Sequence, residues 1–246
     1  MTKVLPQPQT TRSEPTAAVI RLHNLGMTID DRAILHDINL EIAEGEYVAL
    51  IGANGAGKTT LLKILAALAS PSGGTIELFG RTLTAAARDL RSRIGLVGHQ
   101  SMLYRDLSPR ENLAFFARLY GLADPDRRVE RMVRMVGLAD RANDPVRNFS
   151  RGMTQRLSIA RALLHEPSLI LADEPFAGLD APSIQSLEEL FNQLHIAGKT
   201  IVMVNHDIEQ TLRLVDRAIV LRQGTIVIDQ PTHRLYAREV LSEVTG

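Results

Sequence analysis

The chain has 246 residues, 45% of them hydrophobic, so it is long enough to bury a sizeable core and to form one large domain. Its 28 basic and 28 acidic residues cancel, which argues against a nucleic-acid-binding protein held mainly by bulk charge. The absence of cysteine excludes disulfides, a thiolate nucleophile and a cysteine-based zinc site. No apolar run approaches the roughly 18 residues that cross a bilayer, so we expect no membrane span.

The N-terminal third of the chain is predicted to be rich in β-structure. Residues 1–16 are polar and lack the apolar core of a signal peptide, which predicts a disordered tail before a folded domain at 17–246. Apolar runs and alternating patterns then predict several strands and one helix, at 60–68. The strands are predicted at 18–22, 38–42, 46–51 and 75–80.

The middle of the chain carries helical signals. Ser108 and Glu111 form a capping-box pattern with Pro109 at the first helical position. Apolar residues then recur at the helical spacing of three and four, and glycines end each run. These residues are Leu113, Phe116, Ala117, Tyr120, Val129, Met132, Val133 and Val136. We predict a small helical subdomain, at about 101–165, inserted into an α/β body.

The remainder alternates between strands and helices. Continuous apolar runs at 168–172 and 200–204 are typical of buried parallel strands. Helices are predicted at 155–165, 181–197 and 207–215, and two further strands at 218–221 and 225–228. Such alternation predicts an α/β fold with a largely parallel sheet and helices on both of its faces.

Residues 52–60 (GANGAGKTT) fit the phosphate-loop pattern GxxxxGK[ST] at every required position. Glycines let backbone N–H groups point at phosphate oxygens, and the following helix adds the positive end of its dipole. Lys58 is predicted to reach the β- and γ-phosphates, and the Thr59 hydroxyl to bind Mg²⁺. The predicted phosphate-binding residues are Gly52, Ala53, Asn54, Gly55, Ala56, Gly57, Lys58, Thr59 and Thr60. A ligand-free turn is the alternative, which the flanking strand and helix disfavour.

A second motif follows the predicted strand at 168–172. Asp173 and Glu174 come at its end, and the carboxyl edge of such a sheet is where ligands bind. Asp173 is predicted to hold Mg²⁺, directly or through water, and Glu174 to act as general base on the attacking water. An acidic turn that only ends the strand is the alternative, which a phosphate loop in the same chain disfavours.

Four further short motifs occur along the chain. Residues 149–153 (FSRGM) resemble the signature Leu-Ser-Gly-Gly-Gln of the ATP-binding cassette (ABC) ATPases. Gln100 is similar to the glutamine loop of that family, 177–180 (AGLD) to its D-loop, and His206 to its switch histidine. Each of these motifs alone is weak evidence for the family. Asp180, for example, would also serve as a plain helix N-cap. Together they make the chain after the tail resemble this family.

The resemblance implies a fold and a mechanism. The fold is a P-loop cassette with a RecA-like core, an N-terminal antiparallel β subdomain and an inserted helical subdomain. Two copies would close head to tail around two ATP molecules, with Ser150 and the Gly152 backbone contacting the γ-phosphate bound by the other copy. Asp180, in the D-loop, would also belong to the nucleotide-binding residues. His206 would hold the γ-phosphate, and Gln100 would contact Mg²⁺ and signal to the helical subdomain. ATP would close the dimer and hydrolysis would reopen it.

Three positions depart from the family pattern. Ile29 stands where the family usually has an aromatic residue that stacks on adenine, which leaves apolar contact alone for the base. Arg151 and Met153 replace Gly and Gln of the signature. Arg151 is expected either to add charge near the phosphates of the partner copy or to face solvent. None of the three changes removes a residue predicted to bind phosphate or activate water, so we expect ATP hydrolysis.

The resemblance also suggests a type of transporter. Residues 98–107, 111–113 and 148–157 look most like ATPases of cytochrome c maturation, also described as heme exporters. This resemblance implies a peripheral subunit on the cytoplasmic face of the cell membrane, with separately encoded permease subunits and no nucleic-acid partner. ATP hydrolysis would then release a heme-loaded chaperone. Drug, lipid or polysaccharide exporters are the alternative. A soluble ABC protein of DNA repair or the ribosome is disfavoured, because the chain has one cassette, no sustained heptads and no cysteine.

Overall fold

The structure, a computed structural model, describes residues 17–83, 88–98 and 100–245. The tail predicted at 1–16 lies outside these described residues. Within them the strands are β1 (Ala18–Ile29), β2 (Arg32–Ala43), β3 (Tyr47–Ile51), β4 (Gly73–Leu78), β5 (Arg81–Thr82), β6 (Ile94–Val97), β7 (Leu169–Asp173), β8 (Thr200–Val204), β9 (Arg217–Arg222) and β10 (Thr225–Pro231). The α-helices are α1 (Lys58–Leu65), α2 (Arg88–Arg91), α3 (Pro109–Leu119), α4 (Pro125–Met135), α5 (Arg151–Leu163), α6 (Ala181–Ile196), α7 (Ile208–Leu214) and α8 (Ala237–Thr245).

In the described part of the chain the strands form two sheets. A four-stranded sheet with the order β2–β1–β4–β5 is antiparallel throughout. A six-stranded sheet has the order β10–β9–β3–β8–β7–β6, with parallel pairing from β9 to β6 and an antiparallel β10 at one edge. The predicted α/β cassette, with an antiparallel N-terminal sheet and a parallel core, is confirmed.

The central strands of the parallel sheet are buried on both faces. Every residue of β3 and of β8 is buried. Successive side chains of β3 point to opposite faces, so Tyr47 and Ala49 pack into the core beside the large helices. Val48 and Leu50 pack into a second core shared with α1 and the antiparallel sheet. A strand covered on both faces must be apolar throughout, which explains the continuous apolar runs of the sequence.

Helices α3, α4 and α5 pack against one another in the segment 101–165. The predicted capping box at the start of α3 is confirmed, because Ser108 Oγ accepts from the Glu111 backbone and Glu111 Oε2 accepts from the Ser108 backbone at 2.8 Å. The apolar faces of α3 and α4 are buried as predicted. Tyr120 is the exception: the spacing places it on the buried face, yet it is 39% exposed beside a surface groove.

Several strands differ from the sequence prediction: β5 was not predicted, and β2 begins at Arg32 and not at residue 38. Two further differences, in β6 and β1, show the reason. β6 was not predicted, because four apolar residues give no period, and it exists through its pairing with β7. β1 extends to Ile29 and not only to residue 22, because irregular pairing between Leu22 and Met27 and a positive φ of 46° at Asn24 break its alternation. In β6 and β1 the difference involves pairing with another strand, which the local sequence pattern does not reveal.

Phe191 provides a test of the core next to the large helices. Its side chain is fully buried on α6, with ring centroids 6.4 Å from Tyr47 and 5.9 Å from Phe176. Phe191→Ala is expected to lower the free energy of unfolding by about 3–5 kcal/mol, since it removes buried area and leaves a cavity. Urea denaturation followed by circular dichroism measures this, with exposed Asn192→Ala as control. A loss below about 1 kcal/mol would show that the core closes around the gap.

Candidate active site

The phosphate loop, residues 52–57, connects the buried end of β3 to the start of α1. Lys58, the first residue of α1, is only 6% exposed. Its Nζ donates to the carbonyl oxygens of Gly52 at 2.7 Å and Ala53 at 2.8 Å. The ammonium is thus held over the loop, where a polyphosphate would meet a cation and backbone N–H groups at a helix N-terminus.

The electrostatic surroundings of Lys58 favour an anion. Burial lowers the pKa of its ammonium below the usual 10.5, and the negative charges of Glu174 and Asp173 partly offset that shift. A phosphate bound at the loop would compensate the dehydrated cation more directly than the two carbonyls do.

The loop can accept no side chain at its last glycine. Gly57 has φ 103°, and a Cβ there would lie 2.6 Å from Leu35 Cδ2 on β2. Gly57→Ala is therefore expected to weaken ATP binding by about tenfold or more, because left-handed strain and the clash together cost about 2 kcal/mol or more, and about 1.4 kcal/mol corresponds to tenfold. A nucleotide titration measures this, with Gly55→Ala as a comparison that keeps the positive-φ cost and lacks the clash. Equal losses in both variants would rule out the contact with Leu35.

The loop is also braced by the turn between β9 and β10. The Gly224 backbone donates to Ala56 O at 3.2 Å, and its carbonyl accepts from the His36 backbone at 2.8 Å. The sequence predicts a turn at 223–224 but gives no sign of this contact, since the partners are more than 160 residues apart. The turn therefore joins the phosphate loop to the antiparallel sheet.

Two oxygen ligands suitable for Mg²⁺ meet beside the loop. Thr59 Oγ1, in the first turn of α1, donates to Asp173 Oδ2 at the end of β7 at 3.4 Å. A hydroxyl and a carboxylate are the hard oxygen donors that Mg²⁺ prefers, with substrate phosphates and water completing its shell. No group of three or more His, Cys, Asp or Glu side chains forms a metal cluster among the described residues. Mg²⁺ does not require such a cluster, because substrate phosphates and water complete its shell. Thr59 and Asp173 therefore fit this ion.

Glu174 and His206 are in direct contact. A hydrogen bond of 2.6 Å joins His206 Nε2 to Glu174 Oε1. The two residues follow β7 and β8, whose register pairs Asp173 with Val204. Glu174 has a positive φ of 51°, and its backbone donates to Val204 O at 2.9 Å. A non-glycine residue held in this conformation is a local strain of the kind that active sites maintain.

Asn205 anchors the histidine and was missed by the sequence analysis. Its side chain is buried, donates to Thr211 Oγ1 at 2.9 Å and accepts from the His206 backbone at 2.9 Å. The loop that carries His206 is thereby tied to α7. A polar residue directly after a buried strand is the signal that would have indicated it.

The other predicted site residues lie further from this centre. Ser150 caps α5, with Oγ accepting from the Met153 backbone at 3.2 Å, and its hydroxyl hydrogen is left for another acceptor. Asp180 caps α6 by accepting from the Ser183 backbone, so its structural role as an N-cap is confirmed. Hydrogen bonds from the side chain and then the backbone of Ser183 lower the pKa of Asp180. Gln100 is exposed after β6 and makes no side-chain hydrogen bond within the described ranges. Ile29 is 42% exposed at the tip of the β1–β2 hairpin.

The arrangement combines an anion-binding loop, a buried lysine, hard oxygen donors and a carboxylate–histidine pair at one sheet edge. The family model described as ABC transporter matches residues 35–177, more than half of the 246 residues. The chain belongs to this family: it is an ATP-binding subunit of the ABC transporter type, and ATP hydrolysis is its activity.

Several known proteins are similar to the chain. The ABC transporter ATP-binding protein NatA of Bacillus subtilis is 38% identical over 208 residues, which cover 83% of this chain and 85% of that protein. The Nod factor export ATP-binding protein I of Cupriavidus pinatubonensis is 34% identical over 229 residues, covering 92% and 70%.

Solved structures are similar as well. The cbiO1 protein of Clostridium perfringens, part of the transporter complex cbiONQ, has a TM-score of 0.83 at 26% identity and covers 91% of this chain and 92% of its own. A dimeric ATP-binding cassette in a post-hydrolysis state with ADP and Pi has a TM-score of 0.78 at 30% identity, and the match covers 88% of this chain and 100% of that one.

None of the helices formed by the described residues combines the length and apolar character needed to cross a bilayer.

Proposed function

We propose that the chain is the ATP-hydrolysing subunit of a multi-chain exporter and works as a homodimer that ATP closes. The observation that carries this proposal is the Glu174–His206 hydrogen bond, which puts a base and its orienting partner beside the phosphate loop. The domain would span 17–246, with the helical segment at about 101–165 moving as a subdomain.

Each residue of the site has a role in this proposal. Lys58 and the N–H groups of 52–60 would hold the β- and γ-phosphates, with Thr59, Asp173 and Gln100 as the residues that hold Mg²⁺. When bound, Mg²⁺ would neutralise charge on the transferred phosphoryl group. Glu174 would accept a proton from the attacking water, and His206 would orient that water and the γ-phosphate.

Dimerisation would complete the site. Ser150 is exposed at the start of α5, Gly152 lies in the first turn of the same helix, and Asp180 caps the start of α6. These residues would contact the nucleotide held by the other copy. The dimeric cassette with ADP and Pi, which resembles this chain in fold and sequence, supports a dimer as the working form.

A surface groove would receive the membrane partner. Its volume is about 590 Å³, and it lies between the end of α1, β6 and the helices α3 and α5. Leu68 and Met102 are exposed apolar residues there, 60% and 57% exposed. Helical segments of membrane subunits suit an apolar groove of this kind. The chain would then sit on the cytoplasmic face of the cell membrane, against separately encoded permease subunits and without a nucleic-acid partner.

The cargo has two candidate classes. Residues 98–107 and 148–157 favour cytochrome c maturation, where hydrolysis would release a heme-loaded chaperone. The relatives described above carry the names NatA and Nod factor export, which favours another exporter class, including drug, lipid or polysaccharide exporters. The identity of the membrane partner, which supplies the transport path, would distinguish these two cargo classes.

A pull-down tests the proposal. Tagged Glu174→Gln is incubated with ATP and detergent-solubilised membranes of the source cell, and the captured proteins are identified by mass spectrometry. Polytopic cytochrome c maturation proteins with heme absorbance would support the first cargo class, and another permease would support the second. Capture of soluble or ribosomal proteins alone would refute the transporter. Lys58→Ala is the matched control, since it should not trap the ATP-bound state.

A further inference from the structure

Arg151, one of the two residues that depart from the family signature, packs on a glycine of a different segment, Gly178. A Cβ built on Gly178 would lie 2.3 Å from Arg151 Nη1 and 2.6 Å from its Cζ. The guanidinium therefore occupies the space that any side chain at position 178 would need. Gly178 also has φ +68°, which favours glycine, whereas a side chain at this position would push the flexible Arg151 side chain aside.

The covered segment is the one that follows the predicted base. In residues 174–180, the Ala177 backbone donates to Glu174 O at 3.1 Å, the buried Phe176 fixes the middle, and Asp180 caps α6. The start of α5 approaches the same region a second time, since a Cβ on Gly152 would lie 2.3 Å from Ser183 Oγ. The N-terminus of α5 thus packs on this segment at Gly178 and on the first turn of α6 at Ser183.

Arg151 also lines the same cleft as Glu174. This cleft has a volume of about 290 Å³ and includes Arg105, Gln155 and Ala177 in its walls. Within the described residues, the Arg151 guanidinium forms no ion pair and donates no hydrogen bond, unlike its neighbour Arg147, which pairs with Asp106 at 2.9 Å. Its contact with the segment 174–180 is therefore van der Waals packing of the planar guanidinium against the backbone of Gly178.

We propose that Arg151 is a positioning residue for ATP hydrolysis, which holds the segment 174–180 and through it the Glu174 carboxylate. A glycine-containing loop without this cover has more backbone freedom, and small displacements of a catalytic group lower the rate steeply. The proposal rests on the role proposed for Glu174. It predicts an effect on turnover, because Lys58 and the phosphate loop do not contact Arg151.

The test is a double-mutant cycle on ATPase kinetics. Arg151→Gly, which restores the residue usual in the family, is expected to lower kcat about tenfold and to leave KM for ATP within twofold. Gly178→Ala should displace the guanidinium and lower kcat more in the unmodified chain than in Arg151→Gly, where only the backbone strain at φ +68° remains. Arg151→Lys should recover less than half of the lost kcat, because it keeps the charge and lacks the flat group. Exposed Arg238→Ala on α8 is the control.

Four results would overturn the proposal: an unchanged kcat in Arg151→Gly, a change in KM alone, full recovery by lysine, or equal losses from Gly178→Ala in both backgrounds. A KM effect with recovery by lysine would mean that Arg151 attracts nucleotide through its charge. Melting temperatures of all variants show whether a loss of kcat reflects unfolding. If the unmodified chain failed to hydrolyse ATP, the proposed roles in the site would fail, and this outcome is distinct from the other four.

Discussion

Glu174→Gln is expected to lower kcat for ATP hydrolysis by at least about 10²-fold while ATP still binds. Glutamine has nearly the same shape and keeps an oxygen that can accept from His206 Nε2, where the native distance is 2.6 Å. It cannot take a proton from water, so the chemical step loses its base. The dimer closed by ATP should then persist.

Steady-state phosphate release and size-exclusion chromatography with ATP measure the two effects of Glu174→Gln. Glu44→Gln, in the exposed turn before β3, is the matched control and should behave as the unmodified chain. Normal turnover by the Glu174 variant would mean that another group is the base. His206→Ala should then be examined, because His206 is the side chain in contact with Glu174.

Lys58→Ala is expected to weaken ATP binding by about 10²-fold or more. Charge-assisted hydrogen bonds contribute about 1.5–3 kcal/mol each, and Lys58 is positioned to make them with two phosphates. The substitution also removes the two bonds from Nζ to Gly52 O and Ala53 O, which leaves the loop less ordered. Both effects disfavour the bound state.

Isothermal titration with ATP measures this loss. Lys63→Ala is the matched control, because it removes the same group from the exposed face of the same helix. The melting temperatures of both variants show whether a loss of affinity reflects unfolding, because Lys58→Ala also removes two hydrogen bonds from the loop. Unaltered ATP affinity would refute the proposed role of Lys58.

Features that depend on neighbouring residues could be predicted from the sequence. The phosphate loop lies between a strand and a helix as expected, and Ser108, Asp180 and Asp207 begin helices as N-caps. The buried strands β7 and β8 were visible as apolar runs, because both faces of the sheet are covered. Each of these patterns is complete within about ten residues.

Features that depend on distant pairing could not be predicted. The contact between Glu174 and His206 requires that β7 and β8 be neighbours in a particular register, which neither strand specifies by itself. The bond from Gly224 to Ala56 and the packing of Arg151 on Gly178 likewise join segments with no local signal. The family resemblance identifies the motifs, whereas the contacts between the motifs depend on the order and register of the strands.

The strand order has a consequence for the synthesis of the protein. β3, which leads into the phosphate loop, has β8 and β9 as its hydrogen-bonded neighbours, and both are encoded far downstream. A nascent chain that has just exposed residues 47–60 at the ribosome lacks both neighbours and the Gly224 brace. β3 therefore gains both neighbours, and the phosphate loop its bond to Gly224, only after the hairpin of β9 and β10 has emerged, so we expect chains that lack this hairpin not to hydrolyse ATP.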